Sequence, residues 1–148
     1  MDILSQLVSN KILLSGILSW ATAQVIKMVL YSVVNKTLDF TRLVGDGGMP
    51  SGHSATVTAI ALSIGLTNGF DSAIFALAAI FAIVVMHDAM GVRRETGKQA
   101  KVINDLIKIV YDEGTSPEDK LKEFVGHSPL QVVAGFALGI LIALLMML

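Results

Sequence analysis

The sequence contains no cysteine, which excludes disulfide bonds and thiolate metal sites. Charged residues are scarce at 16%, below the ~25% typical of soluble domains. The net charge of −1 gives no reason to expect a nucleic-acid partner. No basic stretch with a following small-residue cleavage site opens the chain, so we expect no removable signal peptide. Apolar residues are abundant instead, at 53% with a mean hydropathy of +0.70, and they indicate a membrane protein.

Four apolar stretches are long enough, or nearly long enough, to cross a bilayer. They cover residues 12–34, 50–66, 72–92 and 130–148, and the second is near the lower limit of roughly 17 residues. Residues 1–10 are mildly amphipathic, and the charged residues 95–126 predict one or two short helices in water or at the interface. We therefore predict an all-α integral membrane bundle of about four transmembrane helices plus short interfacial helices. Residues 1–148 are expected to form a single membrane-embedded domain.

Residues 47–54 read GGMPSGHS and stand directly before the second apolar stretch. Pro50 suits the edge of a helix, and Ser51 is a good N-cap residue. A helix that starts here would direct its free N–H groups and positive dipole end at an anion, commonly phosphate, with His53 in its first turn. A capped helix start with an incidental histidine is the alternative. Residues 126–129, GHSP, place the same residue types before the last apolar stretch.

Following the chain through four spans brings several polar residues to one membrane face. They are Lys27, Ser51, His53, Arg93, Arg94 and His127. Gln24 lies one helical turn before Lys27 and would share its face. An intramembrane lysine usually faces the bundle interior or extends to the membrane surface, and both remain open for Lys27.

Basic donors, a helix N-terminus and two histidines are typical of phosphoryl transfer. Arg93 and Arg94 have a simpler explanation as interfacial anchors. His87 and Asp88 could join His53 and His127 in a metal site, but their spacing fits no standard metal motif. The alternative is that Asp88 pairs with an arginine at the membrane face.

Three sequence blocks, in order, resemble a known superfamily. They are GGMPSGHSA, then DAMGVRR with a downstream GKQA, then GHSPLQVVAG. Residues 50–53 resemble the central motif of the type-2 phosphatidic acid phosphatases, which are grouped with bacterial acid phosphatases and vanadium haloperoxidases. Residues 126–135 resemble their last motif. The combination is most similar to a divergent branch of small bacterial and plastid membrane proteins, and it covers residues 24–139.

The resemblance implies a phosphatase that needs no metal or other cofactor. It implies that His127 is the nucleophile and that His53 is the general acid for the leaving group. Phosphate oxygens would be bound by groups from four parts of the chain, namely Lys27, Ser51, the Gly52 backbone N–H, and Arg93 or Arg94.

Three features depart from the family pattern. The arginine usually lies a few residues before the nucleophile, whereas Arg94 is distant from His127 in sequence, and no Arg-Pro pair follows Lys27. The acid that should orient the nucleophile is replaced by Gln131. Its carbonyl can accept an imidazole N–H but adds no negative charge. Asp88 or Glu123 could orient the histidine instead.

We therefore expect an integral membrane phosphatase that hydrolyses a lipid phosphate monoester or diphosphate through a phosphohistidine. Its partners would be that lipid and the bilayer, and a homodimer could shield the polar site of so small a bundle. A lipid-phosphate-binding protein without turnover and a metal-dependent membrane hydrolase are the alternatives. Of 11 Lys and Arg residues, nine lie between positions 36 and 122, on the face of the motifs. Basic loops stay cytoplasmic, so we expect a multi-pass cell-membrane protein with a cytoplasmic site.

Overall fold

A computed structural model describes residues 2–37, 40, 47–111, 121 and 126–148 of the chain. These residues form helices without any strand. The helices are α1 (Ile3–Ser9), α2 (Lys11–Asn35), α3 (Gly52–Asn68), α4 (Ala73–Met90), α5 (Val92–Tyr111) and α6 (Pro129–Met147). The all-α membrane bundle predicted from the sequence is confirmed.

The bundle is built around α3, which packs against α2, α4 and α6. Its buried positions carry small residues, including Ala55, Ala59 and Ser63. Small side chains let neighbouring backbones approach closely, which is how helices associate where lipid removes the hydrophobic driving force. Hydroxyl groups add bonds on the α2 side: Ser15 Oγ lies 2.9 Å from Ser63 Oγ, and Ser19 Oγ donates to the Ala55 carbonyl at 3.0 Å.

On the other side of α3, two glycines of α6 form the contact. A Cβ at Gly135 would collide with the Ser51 carbonyl oxygen, and a Cβ at Gly139 would lie 2.5 Å from the Ala55 carbonyl oxygen. Only glycine permits this approach, which brings the N-terminal ends of α3 and α6 together.

Three helices of the described chain are long and apolar enough to cross a membrane. They are α2, α6 and the helix that begins at Ala73, whose continuous helical stretch runs into α5 as far as Lys108. The remaining predicted span, residues 50–66, corresponds to α3, which has only 17 residues and packs against α2, α4 and α6. Leu77 on α4 is 71% exposed, as expected for a side chain that faces lipid.

The charged segment differs from the prediction of short helices. α5 begins at Val92, directly after α4, and runs for 20 residues. Ala100 and Asn104 lie on its buried face, whereas Val102 and Leu106 are exposed. The Asn104 side chain bonds both backbone groups of Leu121, at 2.9 and 3.0 Å. Residues 112–120 and 122–125 lie outside the described residues.

Gly139→Val tests the close α3–α6 contact. The added side chain has no room, because its Cβ would lie 2.5 Å from the Ala55 carbonyl oxygen and 2.8 Å from the Thr58 Cβ. We expect a loss of about 1–3 kcal/mol of stability, the usual cost of overpacking. Thermal unfolding in detergent, followed by circular dichroism, measures it. Ala137→Val, on the exposed side of the same helix, is the control. Equal melting temperatures for the two variants would contradict the packing role of Gly139.

Candidate active site

His127 is fixed just before α6 by a contact between two distant chain segments, residues 126–127 and the junction of α4 with α5, and we call this contact the seam. Its backbone N–H donates to the Ala89 carbonyl near the end of α4, at 2.9 Å. The preceding Gly126 has a φ of 94°, and a Cβ there would lie 2.5 Å from the Arg94 amide nitrogen. Both facts require glycine. The seam therefore places His127 beside Arg94, although the two are far apart in sequence.

The His127 side chain is held by the first turn of its own helix. Ser128 and Gln131 form a capping box, in which the Ser128 N–H donates to Gln131 Oε1 at 2.8 Å. The same oxygen lies 3.4 Å from His127 Nδ1. A proton on Nδ1 facing this oxygen leaves the lone pair on Nε2, as a nucleophile requires. His127 is only 3% exposed, so its ring orientation is set by these contacts.

The predicted N-cap Ser51 is confirmed, and His53 lies in the first turn of α3. Ser51 Oγ accepts from the Ser54 N–H at 3.3 Å, and the Ser51 N–H donates to the Gln131 carbonyl at 2.9 Å. This second bond ties the starts of α3 and α6 together. The rings of His53 and His127 consequently meet edge to face, with centroids 5.8 Å apart.

Lys27 reaches the same place from α2. It is 9% exposed, and its Nζ lies 3.8 Å from the position of a Cβ at Gly52. The lysine therefore faces the bundle interior and does not extend to the surface. Gln24 is also buried, and its Oε1 has no hydrogen-bond partner among the residues that the structure describes. Both residues line a cavity of about 400 Å³ together with Trp20 and His53.

The two arginines have different surroundings. Arg93 Nε bonds Asp88 Oδ2 at 3.2 Å, which is the ion pair anticipated for Asp88. Arg94 instead lines a second cavity of about 350 Å³, beside His127 and Gln131. Of the two, Arg94 is thus the one that shares a cavity with His127.

Two further predicted candidates, His87 and Glu123, are not among the described residues of this centre. His87 is on the exposed surface of α4, and Glu123 is outside the described residues. Within the described chain, no three His, Asp or Glu side chains are grouped so that they could hold a metal ion.

Two lysines that the sequence analysis did not single out line the second cavity. They are Lys98 and Lys101, which share that wall with Arg94 and Gly97. Their spacing, i+4 and i+7 from Arg94, places them on one helical face with that arginine, but the spacing alone does not indicate what the face meets. A third cavity, of about 450 Å³ between α3, α4 and α6, is lined by apolar residues such as Phe75 and Phe136 and by none of the candidates.

The site can therefore supply a nucleophilic imidazole, a second imidazole beside it, buried positive charge and a helix N-terminus. These are the groups that phosphoryl transfer requires.

Comparison with known proteins agrees with the resemblance seen in the motifs. The pattern of the Divergent PAP2 family matches residues 8–142. An uncharacterized membrane protein of Bacillus subtilis (strain 168), YuiD, is 41% identical over 152 residues, which cover 95% of this chain and 96% of that protein. No solved structure matches. The chain belongs to the Divergent PAP2 family.

Proposed function

We propose that this protein is an integral membrane phosphatase that hydrolyses a lipid phosphate through a phosphohistidine on His127. The observation that carries the proposal is the seam at Gly126, which joins the distant arginine to the histidine. In the superfamily pattern these two residues stand close together in sequence. Here the fold brings an arginine and a histidine together from separate segments, which supports the proposal that the phosphate site is retained.

In the proposed reaction, His127 Nε2 attacks phosphorus and the bond from phosphorus to the lipid oxygen breaks. His53 gives its proton to that leaving oxygen. Water then attacks the phosphohistidine, with His53 accepting a proton, and releases inorganic phosphate and free His127. Lys27, Arg94 and the α3 N-terminus stabilise the charge on the phosphoryl oxygens.

The substrate would be a monoester or diphosphate lipid on the cytoplasmic leaflet. The excess of Lys and Arg between positions 36 and 122 supports this orientation. Phosphatidylglycerophosphate, phosphatidate and an isoprenoid diphosphate are the candidates, and the orientation favours the first two.

A lipid-phosphate-binding protein without turnover is the second candidate. The geometry of Gln131 favours it, because its oxygen lies closer to the Ser128 amide than to His127. An amide also adds no charge to stabilise the imidazolium that forms during the cycle.

His127→Ala tests the nucleophile. We expect turnover to fall by about three orders of magnitude or more while the helical content is unchanged. Phosphate release from the three candidate lipids in detergent, with and without chelator, measures it. His87→Ala, an exposed histidine on α4, is the control and should keep wild-type activity. Activity of His127→Ala within tenfold of wild type would refute the nucleophile assignment, and chelator-sensitive release would point to the metal-dependent hydrolase.

Gln131→Glu tests the orienting role. A carboxylate retains both acceptor contacts and would favour the protonated imidazole, so activity should be kept or raised by up to about tenfold. Gln131→Leu removes both contacts and should lower activity. Initial rates for the two variants give the comparison. A large loss in Gln131→Glu would mean that the amide N–H donates to the substrate.

Cysteine labelling tests the orientation, since the chain has no cysteine of its own. A cysteine that replaces Lys108 should react with a membrane-impermeant maleimide only after cells are opened. A cysteine that replaces Asp71, in the turn between α3 and α4, should react in intact cells. The reverse pattern would place the site outside and favour an isoprenoid diphosphate.

A further inference from the structure

α5 presents a row of three cations to the cavity beside His127. Arg94, Lys98 and Lys101 recur at i, i+4 and i+7, and all three line that cavity. At 1.5 Å of rise per residue, the row extends about 10 Å along the helix axis. Ile103 and Leu106 are exposed on another side of the helix, where they suit the membrane interface.

Among the described residues, an acid pairs with only one of the three cations in this row. Lys98 Nζ bonds Glu95 at 2.5 Å, but within the described chain neither Arg94 nor Lys101 makes an ion pair. The next acids in sequence on either side of the row are engaged elsewhere: Asp88 bonds Arg93, and Asp105 lies 3.7 Å from Lys108. Two uncompensated positive charges therefore face the cavity.

The rest of the cavity wall also suits an anion. Four glycines contribute backbone, namely Gly47, Gly48, Gly97 and Gly126, so a ligand can approach closely. The N-terminal end of α6, with its N-cap Ser128, adds a positive dipole end. None of the described residues that line this cavity is an acid.

The row of cations is longer than the distance over which a single phosphate group can contact it. The Arg94 backbone touches Gly126, next to the nucleophile, whereas Lys101 lies two helical turns further along α5. An anion held at the His127 end by Arg94 leaves Lys101 and Lys98 facing a separate part of the cavity.

We propose that Lys98 and Lys101 form a subsite for a second phosphate group of the lipid head group. This inference rests on the proposed function and narrows its substrate class to lipids that carry two phosphates. Arg94 binds the phosphate that reacts with His127, and the lysines bind the one that does not. The second phosphate is bound but does not react. The bonds that form and break are therefore those of the proposed reaction at the first phosphate.

Lys101→Gln tests the subsite with two lipids in neutral detergent micelles. Phosphatidylglycerophosphate carries two phosphates, and phosphatidate carries one. We expect the KM for the first to rise roughly tenfold, with kcat unchanged and with less than a twofold change for phosphatidate. Lys101→Arg should retain the wild-type preference. Lys108→Gln makes the same charge change on α5 outside the cavity and should leave both KM values unchanged.

Several outcomes would overturn the subsite. An equal rise in KM for both lipids would mean that Lys101 binds the reacting phosphate. If Lys108→Gln raised the KM for phosphatidylglycerophosphate to the same extent, general electrostatic attraction would explain the effect. An unchanged KM in Lys101→Gln would mean that Lys101 does not bind the second phosphate.

Binding of a non-hydrolysable probe separates this inference from the proposed activity. Pentane-1,5-diphosphonate, whose five-carbon chain matches the P–O–C–C–C–O–P link of phosphatidylglycerophosphate, and pentylphosphonate can be titrated calorimetrically into the wild type and into Lys101→Gln. Tighter binding of the diphosphonate, lost in the variant, would support the subsite even if neither lipid were hydrolysed, in which case only the proposed activity fails. Equal binding of the two probes would overturn the subsite even in an active enzyme.

Discussion

The contact between Gly126 and the α4–α5 junction is the constraint on which the site depends. Without a side chain at Gly126, the backbone before α6 lies against Arg94, and the His127 N–H bonds Ala89. One short seam thus fixes the position of a histidine, selects which arginine it meets and sets where α6 begins. The second tie, between Ser51 and the Gln131 carbonyl, then fixes His53 relative to His127. Two backbone hydrogen bonds accordingly hold three chain segments in register.

Holding the two histidines at fixed positions requires a rigid support, which the small residues of α3 provide. Gly135 and Gly139 bring α6 into backbone contact with α3, and Ser15 and Ser19 bond α2 to it. In a bilayer such contacts replace the apolar burial that stabilises soluble cores. The polar ends of the same helices then form the site, so packing and chemistry share one element.

Much of the fold and of the candidate site could be predicted from the sequence, because the sequence signals for them are local. Apolar length predicted the bundle, the PSGH segment predicted the start of α3, and counting spans placed Lys27, His53 and His127 at one end. The choice between Arg93 and Arg94 could not be predicted, since it depends on which side chain Asp88 pairs with across a helix junction. Lys98 and Lys101 were missed because a charged helical face usually faces water, and only the tertiary position of α5 turns theirs toward His127.

The placement of α4 has a consequence for how the proposed lipid substrate would reach the site. α4 packs on α3, makes few contacts with α6 and, among the described residues, does not pack on α2. Its two flanks are therefore slits along the bundle, one beside His53 with Trp20, Val57 and Phe81 in its walls, the other almost wholly apolar. The hydrocarbon chain of the proposed substrate would lie in either slit without leaving the bilayer. Lateral entry of this kind would let the head group arrive at His53 while the tail stays at membrane depth, so the proposed reaction would not require extraction of the lipid.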